Sequence, residues 1–461
     1  MERNVALTWT IFVATYAALA LGKIPGLRTD RAGIALVGAT ALLATGVLSL
    51  DEAVGTSSID YKTLLLLFGM MIVVGALRLS GFFERLVGAA LKHIATPGGM
   101  LAATIGLAGI LSAFLINDVV CVALAPLVVH LARRMKFDPL PHLLGLATAA
   151  NIGSTGTITG NPQNIYIGAH SGIAYLAFAL RLMPVAILGL VVDFAVIRWV
   201  YRQRLVSPAD AGAQADPSPT PGTRLGRVRG GVGTDAERPS PDQTRGTADI
   251  PWLARRVSVE GPESPRGKAH ARLERKTVVV ALGAVILFFT GLPLELVALG
   301  AAAIVLLTRV NPKKIYQQVD WSLLVMFAGL FVVVHAFQRY VVPGWELETW
   351  SALAARPIDL VSLVSAGLSN VVSNVPAVLL LEPVVKVMPA HTRDTAWLAL
   401  AASSTLAGNL TVLGSVANLI VVESAKREGT PISFWEYSRV GIPVTLLTLA
   451  LAIAWLHWLP Y

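Results

Sequence analysis

Two stretches of the sequence carry the same pattern: L-S-A-F-L-I-N-D-V-V-C-V-A-L-A-P at Leu111–Pro126 and L-S-N-V-V-S-N-V-P-A-V-L-L-L-E-P at Leu368–Pro383. They align without a gap and share Leu, Ser, Asn, Leu and Pro in register. A second pair follows. N-I-G-S-T-G-T-I-T-G-N-P-Q-N lies within Leu146–Ile165, and S-S-T-L-A-G-N-L-T-V-L-G-S-V-A-N lies within Leu400–Leu419. Polar interruptions at corresponding places of two apolar halves are typical of secondary transporters that bind their solute between repeats.

The composition indicates a membrane protein. Of 461 residues, 54% are hydrophobic and only 14% are charged. Several apolar windows, such as 32–50 and 440–456, are long enough at about 1.5 Å per residue to cross a core of roughly 30 Å, alone or with their flanks. We therefore predict an all-α polytopic protein with the lipid bilayer as its surroundings and multiple spans in the cytoplasmic membrane.

The net charge of +9 does not indicate a nucleic-acid partner, because much of the excess lies in one segment rich in Pro, Gly, Ser and Arg. Its low hydrophobicity cannot offset the entropy of ordering it. We predict a first repeat at 1–201, a disordered cytoplasmic linker at 202–275 and a second repeat at 276–461.

The short basic loops, such as the one with Lys23, Arg28 and Arg31 after the first span, predict the topology, since Lys and Arg favour the cytoplasmic side. This placement is consistent only if two segments each enter the membrane and return to the side from which they came. One is a hairpin at about 98–134 that enters from the cytoplasm, and the other is a hairpin at about 358–389 that enters from outside. Each half then has five spans plus one re-entrant hairpin. An odd number of crossings inverts the second half relative to the first and leaves both termini outside.

The hairpin tips and helix breaks predict the site. Asn161 followed by Pro162 is typical of a helix start, so the fifth span is expected to break near 153–160 at the midplane and to restart at Pro162. Helix starts suit anions, and unwound carbonyls suit a desolvated cation. With no Lys or Arg aimed at it, such a site favours a small, weakly charged ligand. The candidate substrate- and ion-binding residues are Asn117, Asp118, Gly153, Ser154, Thr155, Gly156, Thr157, Asn161, Asn164, Ser373, Asn374, Asn409, Thr411, Ser415 and Asn418.

These motifs resemble the ion transporter superfamily, which includes arsenite/antimonite efflux permeases, sodium/proton antiporters, citrate-type transporters and divalent anion/sodium symporters. Asn117-Asp118 is similar to the arsenite permeases, and Ser373-Asn374-Val375-Pro376 is similar to the second tip of permeases and symporters alike. Gly160–Asn164 departs from a dedicated arsenite permease and resembles bacterial anion permeases. The resemblance implies substrate and ion binding at tips and breaks, with an elevator-like displacement.

Asp118 is the candidate for proton coupling, because a carboxylate near mid-membrane is costly when ionised and tends to mark ion pathways. The alternative is that Asp118 caps the second hairpin arm. Asp193 is expected to be solvated or paired with Arg198, and Cys121 to be a packing residue that cannot form a metal cluster alone.

Export of an arsenite-type oxyanion in exchange for protons is the leading interpretation. Sodium-coupled uptake of a carboxylate or divalent anion, or sodium/proton antiport, is the second, and an ion channel is the alternative from another class. No enzyme is predicted, because H-E-x-x-H and G-x-S-x-G motifs are absent. No cofactor or metal is expected beyond sodium or a proton as coupling ion, and a homodimer stays open.

Overall fold

The computed structural model describes residues 2–22, 29–91, 94–205, 265–308, 311–344 and 356–459, and the regular structure within these ranges is helical. The helices before residue 206 are α1 (Glu2–Leu21), α2 (Arg31–Ala44), α3 (Leu50–Val54), α4 (Tyr61–Leu79), α5 (Phe82–Leu91), α6 (Pro97–Phe114), α7 (Asn117–Arg134), α8 (Pro139–Ser154), α9 (Pro162–Ser171) and α10 (Tyr175–Val200). Those after residue 264 are α11 (Pro265–Phe288), α12 (Leu294–Leu306), α13 (Pro312–Tyr316), α14 (Trp321–Tyr340), α15 (Pro357–Val372), α16 (Asn374–Lys386), α17 (Ala390–Ala407), α18 (Val416–Arg427) and α19 (Phe434–Trp458).

Six of the described helices are long and apolar enough to cross a membrane: α1, α4, α6, α10, α14 and α19. Three shorter apolar helices, α2, α12 and α15, accompany them. Their outward faces are apolar. Leu180, Ile187 and Val191 on α10, for example, are more than half exposed, as expected of side chains that face lipid. The prediction of an all-α polytopic membrane protein is confirmed.

The same helix–helix contact occurs twice between the halves, with the roles of the two halves exchanged. A Cβ added to Gly69 on α4 would lie 2.7 Å from the backbone of Ala298 on α12, and one added to Gly329 on α14 would lie 2.7 Å from the backbone of Ala35 on α2. In both places only a hydrogen atom fits between the two backbones. The helices α4 and α14 also begin alike, with Asp60 and Asp320 as side-chain caps.

The two predicted hairpins are pairs of helices with very short connections. Only Leu115 and Ile116 separate α6 from α7, and only Ser373 separates α15 from α16. Ser373 has φ of 79°, a conformation that is costly for a residue with a side chain. Each connection is therefore a sharp, irregular point in the backbone that contact with the rest of the fold must hold.

Two predicted boundaries need correction. The linker was expected to end at 275, but α11 already begins at Pro265, because the intervening Ala, Arg, Lys and Glu residues are strong helix formers. The predicted linker residues 206–264 lie outside the described residues. The broken span is α8 with α9, the fourth rather than the fifth, since α10 still follows it within the first half.

Candidate functional site

Asn151 on α8 is the centre of a buried network of side-chain amides. Its Oδ1 accepts a hydrogen bond from Asn117 Nδ2 at 3.0 Å, and its Nδ2 donates to Asn409 Oδ1 at 2.8 Å and to Asn418 Oδ1 at 3.0 Å. Ser415 Oγ donates to the same Asn151 Oδ1 at 3.0 Å. One fully buried side chain thus joins the first hairpin tip to the broken helix of the second half.

A second set of hydrogen bonds also joins the two halves, and it uses the residues that correspond to those of the first set. Asn161 Nδ2 donates to Thr405 Oγ1 at 3.2 Å, and Gln163 Nε2 donates to the same oxygen at 3.1 Å. In the sequence alignment, Asn161 corresponds to Ser415 and Asn151 to Thr405. The Asn161–Thr405 contact is therefore the counterpart of the Ser415–Asn151 contact.

Each helix break is held open by an asparagine one turn into the restarting helix. Asn164 Nδ2 donates to the carbonyls of Ser154 at 3.1 Å and Thr157 at 3.0 Å. Asn418 Nδ2 donates in the same way to the carbonyls of Gly408 at 2.7 Å and Thr411 at 3.1 Å. These bonds satisfy carbonyls that the interrupted helix leaves unpaired.

The unwound segments between these bonds also match. Thr157 and Thr411 have extended backbones, with φ of −142° and −137°, and a short 3-10 turn follows each at Ile158–Gly160 and Val412–Gly414. Asn161 caps α9 through Asn164 N at 2.8 Å, and Ser415 caps α18 through Ala417 N at 3.3 Å. The predicted restart at Pro162 is confirmed, and the second half repeats it.

The second hairpin tip lies against the second break. With its amide oriented to donate, Asn374 hydrogen-bonds the carbonyls of Ser404 at 3.1 Å and Gly414 at 3.2 Å. The two tip asparagines are both buried, with 3% of Asn117 and 7% of Asn374 exposed. Each tip therefore meets the break of its own half, and Asn151 links the two assemblies.

A basic side chain also reaches the second tip. Arg31 Nη1 donates to Ser373 Oγ at 3.3 Å, although the sequence placed Arg31 in a basic loop and predicted no Lys or Arg at the site. That prediction is wrong, because the first turn of α2 packs beside the tip of a hairpin more than 300 residues away in the chain. Tyr16 on α1 marks the same junction, since its hydroxyl donates to the Pro376 carbonyl at 3.3 Å.

Asp118 occupies the second position of α7 and is partly buried. The capping alternative is wrong, because Ile116 is the N-cap residue and α7 has no side-chain cap hydrogen bond. A carboxylate in the first turn still interacts favourably with the helix dipole. Within the part of the chain that the structure describes, no hydrogen bond or salt bridge fixes the Asp118 side chain at the tip.

Four other predicted residues have structural contacts at the first break. Two of them are glycines in close packing, and two are threonines whose hydroxyl groups bond to backbone carbonyls. A Cβ on Gly153 would come within 2.2 Å of the Gly109 carbonyl oxygen, so this glycine permits close packing of α8 on α6. Gly156 lies against the Met183 side chain. The hydroxyl groups of Thr155 and Thr157 donate to the carbonyls of Asn151 and Ala113 respectively.

Several oxygen atoms around the network have no hydrogen-bond partner among the residues that the structure describes. They are the side-chain carbonyl oxygens of Asn117, Asn164 and Asn370 and the hydroxyls of Ser112 and Ser369. Buried polar atoms are almost always paired, so open acceptors clustered at tips and breaks are the groups that a ligand or coupling ion would satisfy.

Asp193 corrects another prediction. Its side chain is fully buried on α10, whereas Arg198 is exposed and lies beside Gly98. Five residues along a helix correspond to a rotation of about 140°, so the two side chains leave opposite sides of α10. Asp193 is neither solvated nor paired with Arg198.

The most important residue that the sequence did not single out is Asn151. It stands inside an apolar helical run, L-A-T-A-A-N-I, where a lone amide attracts little notice. A usable signal was its register, because it aligns with Thr405 within the repeated block. Thr405 and Gln163 stand inside the polar motifs quoted above but were not singled out within them.

Comparisons with known proteins match this chain to a family of transporters. The citrate transporter family (CitMHS) matches residues 16–407. The silicon efflux transporter LSI3 of Oryza sativa subsp. japonica is 32% identical over 462 residues, which cover 94% of this chain and 93% of that protein. A 46 kDa membrane protein of Mycobacterium leprae is 29% identical, with 98% of both chains covered. The Dictyostelium discoideum protein named as transporter arsB is 26% identical, with 96% and 89% covered.

Proposed function

Because the chain belongs to the citrate transporter family, we propose that it is a secondary active transporter that moves a small oxyanion, or the corresponding protonated oxyacid, across the cytoplasmic membrane. The observation that carries this proposal is the Asn151 network. It places neutral amides, hydroxyls and unpaired oxygens from both halves in one buried region. Such a region at two broken helices is the usual site of a secondary transporter.

We propose further that the halves are inverted repeats of five spans, each with a re-entrant hairpin. Three matched contacts support the repeat: the glycine crossings at Ala35 and Ala298, the Asn164 and Asn418 bonds, and the exchanged contacts between halves. The arms of the second hairpin, with 16 and 13 residues, are shorter than those of the first, which have 18 residues each. With 13 residues, α16 reaches about 20 Å, less than the roughly 30 Å of a bilayer core.

An elevator-like displacement fits the way the parts are joined. The tips and breaks are bound to one another by many hydrogen bonds. Within the described residues, the second tip meets α1 and α2 through two hydrogen bonds, from Tyr16 and Arg31. We propose that the tips and breaks move together against a frame formed by the crossing helices α1, α2, α4, α12 and α14.

The chemistry of the site favours a hydroxylated oxyacid. Open side-chain oxygens accept hydrogen bonds, so they suit a ligand that carries O–H groups, such as arsenous or silicic acid. The helix starts at Asn117 and Asn374 supply N–H donors for its oxygens. One guanidinium, that of Arg31, is near, which is little positive charge for a tricarboxylate. Export in exchange for protons is the direction that we propose.

Uptake of a carboxylate with sodium is the second candidate. It is favoured by the family match and by the two helix starts that meet at the site, which can bind carboxylate groups. In this case the open amide oxygens would coordinate sodium, as unwound segments do in other secondary transporters.

We also propose that the linker 206–264 lies in the cytoplasm and that both termini lie outside. The basis is the distribution of Lys and Arg in the short loops, such as Arg133 and Arg134 at the end of α7.

A reconstituted panel tests the proposal. Purified protein in liposomes is offered arsenite, silicic acid, sulfate and citrate in turn, with sodium or choline as the cation and with or without a pH gradient. We expect saturable flux of arsenite or silicic acid that follows the pH gradient and does not need sodium. Sodium-dependent citrate flux would instead support the second candidate, and conductance without saturation would contradict a transporter.

A further inference from the structure

Asp193 is a buried carboxyl group that the proposed site does not use. It lies on α10 with a side chain that is fully buried, and both of its oxygens lack a hydrogen-bond partner within the described part of the chain. It also forms no salt bridge there. An ionised carboxylate in apolar surroundings without a partner is costly, so this group requires an explanation.

One polar group beside Asp193 can accept a hydrogen bond from its protonated form. Thr148 on α8 lies beside the carboxyl group, but its own hydroxyl hydrogen is already donated to the Leu144 carbonyl at 2.8 Å. The Thr148 oxygen can then only accept a further hydrogen bond. A neutral Asp193 can supply it, whereas an ionised Asp193 would face an oxygen with no hydrogen to offer.

A second buried hydroxyl, from Tyr437 on α19, completes the surroundings. Tyr437 lies within electrostatic range of the Asp193 carboxyl and beside the Asn418 side chain. Its hydroxyl is fully buried and has no hydrogen-bond partner among described residues. When Asp193 loses its proton, this O–H is the neighbouring donor that can turn toward the carboxylate.

The surroundings bring no balancing positive charge. α6 carries no titratable side chain. α8 contributes His142, fully buried with both ring nitrogens unpaired in the described structure. Cys121 on α7 lies near Tyr437. The other ionisable groups on the packed helices lie toward the helix ends: Tyr175, Arg181 and Arg198 on α10, His391, Arg393 and Asp394 on α17, and Glu436, Arg439 and His457 on α19.

The surroundings of Asp193 adjoin the amide network. Asn409 Nδ2 donates to the Thr148 carbonyl at 3.2 Å, and Asn418 adjoins Tyr437. Both amides also hold Asn151. Two short paths therefore connect Asp193 to Asn151. One runs through Thr148 and Asn409, and the other runs through Tyr437 and Asn418.

We propose that Asp193 is a proton-binding site that couples protonation to occupancy of the amide network. The carboxylate takes up one proton from water to become a carboxylic acid, whose O–H donates to Thr148 Oγ1. On release the proton returns to water, and the carboxylate turns to the Tyr437 hydroxyl. The coupling role rests on the proposed transport function, whereas proton binding itself does not.

Infrared difference spectroscopy of the full-length purified protein across a pH jump tests proton binding without any substrate. We expect a carbonyl stretch of a protonated carboxyl group in the wild-type protein, its loss in Asp193→Asn, and its retention in Glu423→Gln, which changes an exposed carboxylate on α18. The Asn substitution preserves shape, and size-exclusion chromatography checks the fold. A signal that persists in Asp193→Asn, or that is absent from the wild type, would overturn the proposal.

Transport then tests the coupling. In liposomes with an imposed pH gradient, gradient-driven accumulation of arsenite or silicic acid should be lost in Asp193→Asn. Driven accumulation equal to the wild type would refute coupling at this residue. If the wild type moves neither solute, the proposed substrate class fails while the infrared result still decides whether Asp193 binds a proton.

Discussion

Replacing Asn151 with alanine should damage both the fold and the transport activity, because this side chain joins the two halves. The substitution removes four hydrogen bonds to groups on other elements, from Asn117, Asn409, Asn418 and Ser415. Hydrogen bonds between helices in a membrane protein are worth about 0.6 kcal/mol each, so the four together contribute roughly 2.4 kcal/mol. A buried group left unpaired costs about 1 to 3 kcal/mol, so the total loss should exceed that sum.

Transport should fall as well as stability. Without Asn151, the amides of Asn117 and Asn418 lose the partner that fixes their orientation toward the ligand. A loss of about 1.4 kcal/mol in ligand binding corresponds to a tenfold weaker affinity, so initial flux at low substrate concentration should fall below about one tenth of the wild-type value. The assays are initial flux into liposomes and thermal unfolding in detergent.

Ser403→Ala is the matched control. Ser403 is as deeply buried as Asn151 and lies on the neighbouring α17, but its hydroxyl donates within its own helix, to the Ala399 carbonyl at 2.6 Å. It should leave flux and melting temperature near the wild-type values. The reasoning is refuted if Asn151→Ala also keeps both, or if the two variants lose flux equally.

Three further outcomes are expected. Gly153→Ala should lower the yield of folded protein, since the added Cβ would meet the Gly109 carbonyl oxygen at 2.2 Å. Thr405→Ala should reduce flux less than Asn151→Ala, because it removes two hydrogen bonds and not four. The pKa of Glu52, on the short helix between α2 and α4, is lowered from 4.5 to about 2 by the backbone N–H of the helix N-cap and by Arg339. The stability that this carboxylate contributes is thus full above pH 4.5 and is lost as the pH falls toward 2, so the melting-temperature difference between wild type and Glu52→Gln should shrink over that interval.

Each of these outcomes has a clear opposite. Gly106→Ala adds its Cβ to open space on the same helix pair, and equal yields of the two glycine variants would contradict close packing at Gly153. If flux in Thr405→Ala fell below that in Asn151→Ala, Asn151 would not be the centre of the network. A difference at Glu52 that grows on acidification would reverse the sign of its contribution.

The repeated motifs predicted where the site lies, because a helix break needs residues that can satisfy its own carbonyls. Asn164 and Asn418 stand at the same distance from each break, and this spacing is readable in the sequence. The contacts between the two breaks could not be predicted from the sequence. Asn151 and Asn409 are 258 positions apart, and neither local pattern indicates that the two residues are in contact.

Charged residues were predicted less well, because their surroundings depend on which helices pack together. Arg31 looked like a loop residue from its neighbours, but α2 carries it to the second hairpin tip. Asp193 looked close enough to Arg198 for pairing, but the helical rotation separates them. The capping role considered for Asp118 failed because Ile116, not Asp118, occupies the N-cap position of α7.

Counterflow tests the central claim, that a site shared by two halves opens to one side of the membrane at a time. Liposomes containing wild-type protein are loaded with unlabelled arsenite or silicic acid and diluted into a trace of labelled solute. We predict a transient accumulation of label above its equilibrium level, abolished in Asn151→Ala and preserved in Ser403→Ala. A simple approach to equilibrium in the wild type, with rapid flux of the label, would indicate a channel and would contradict the account.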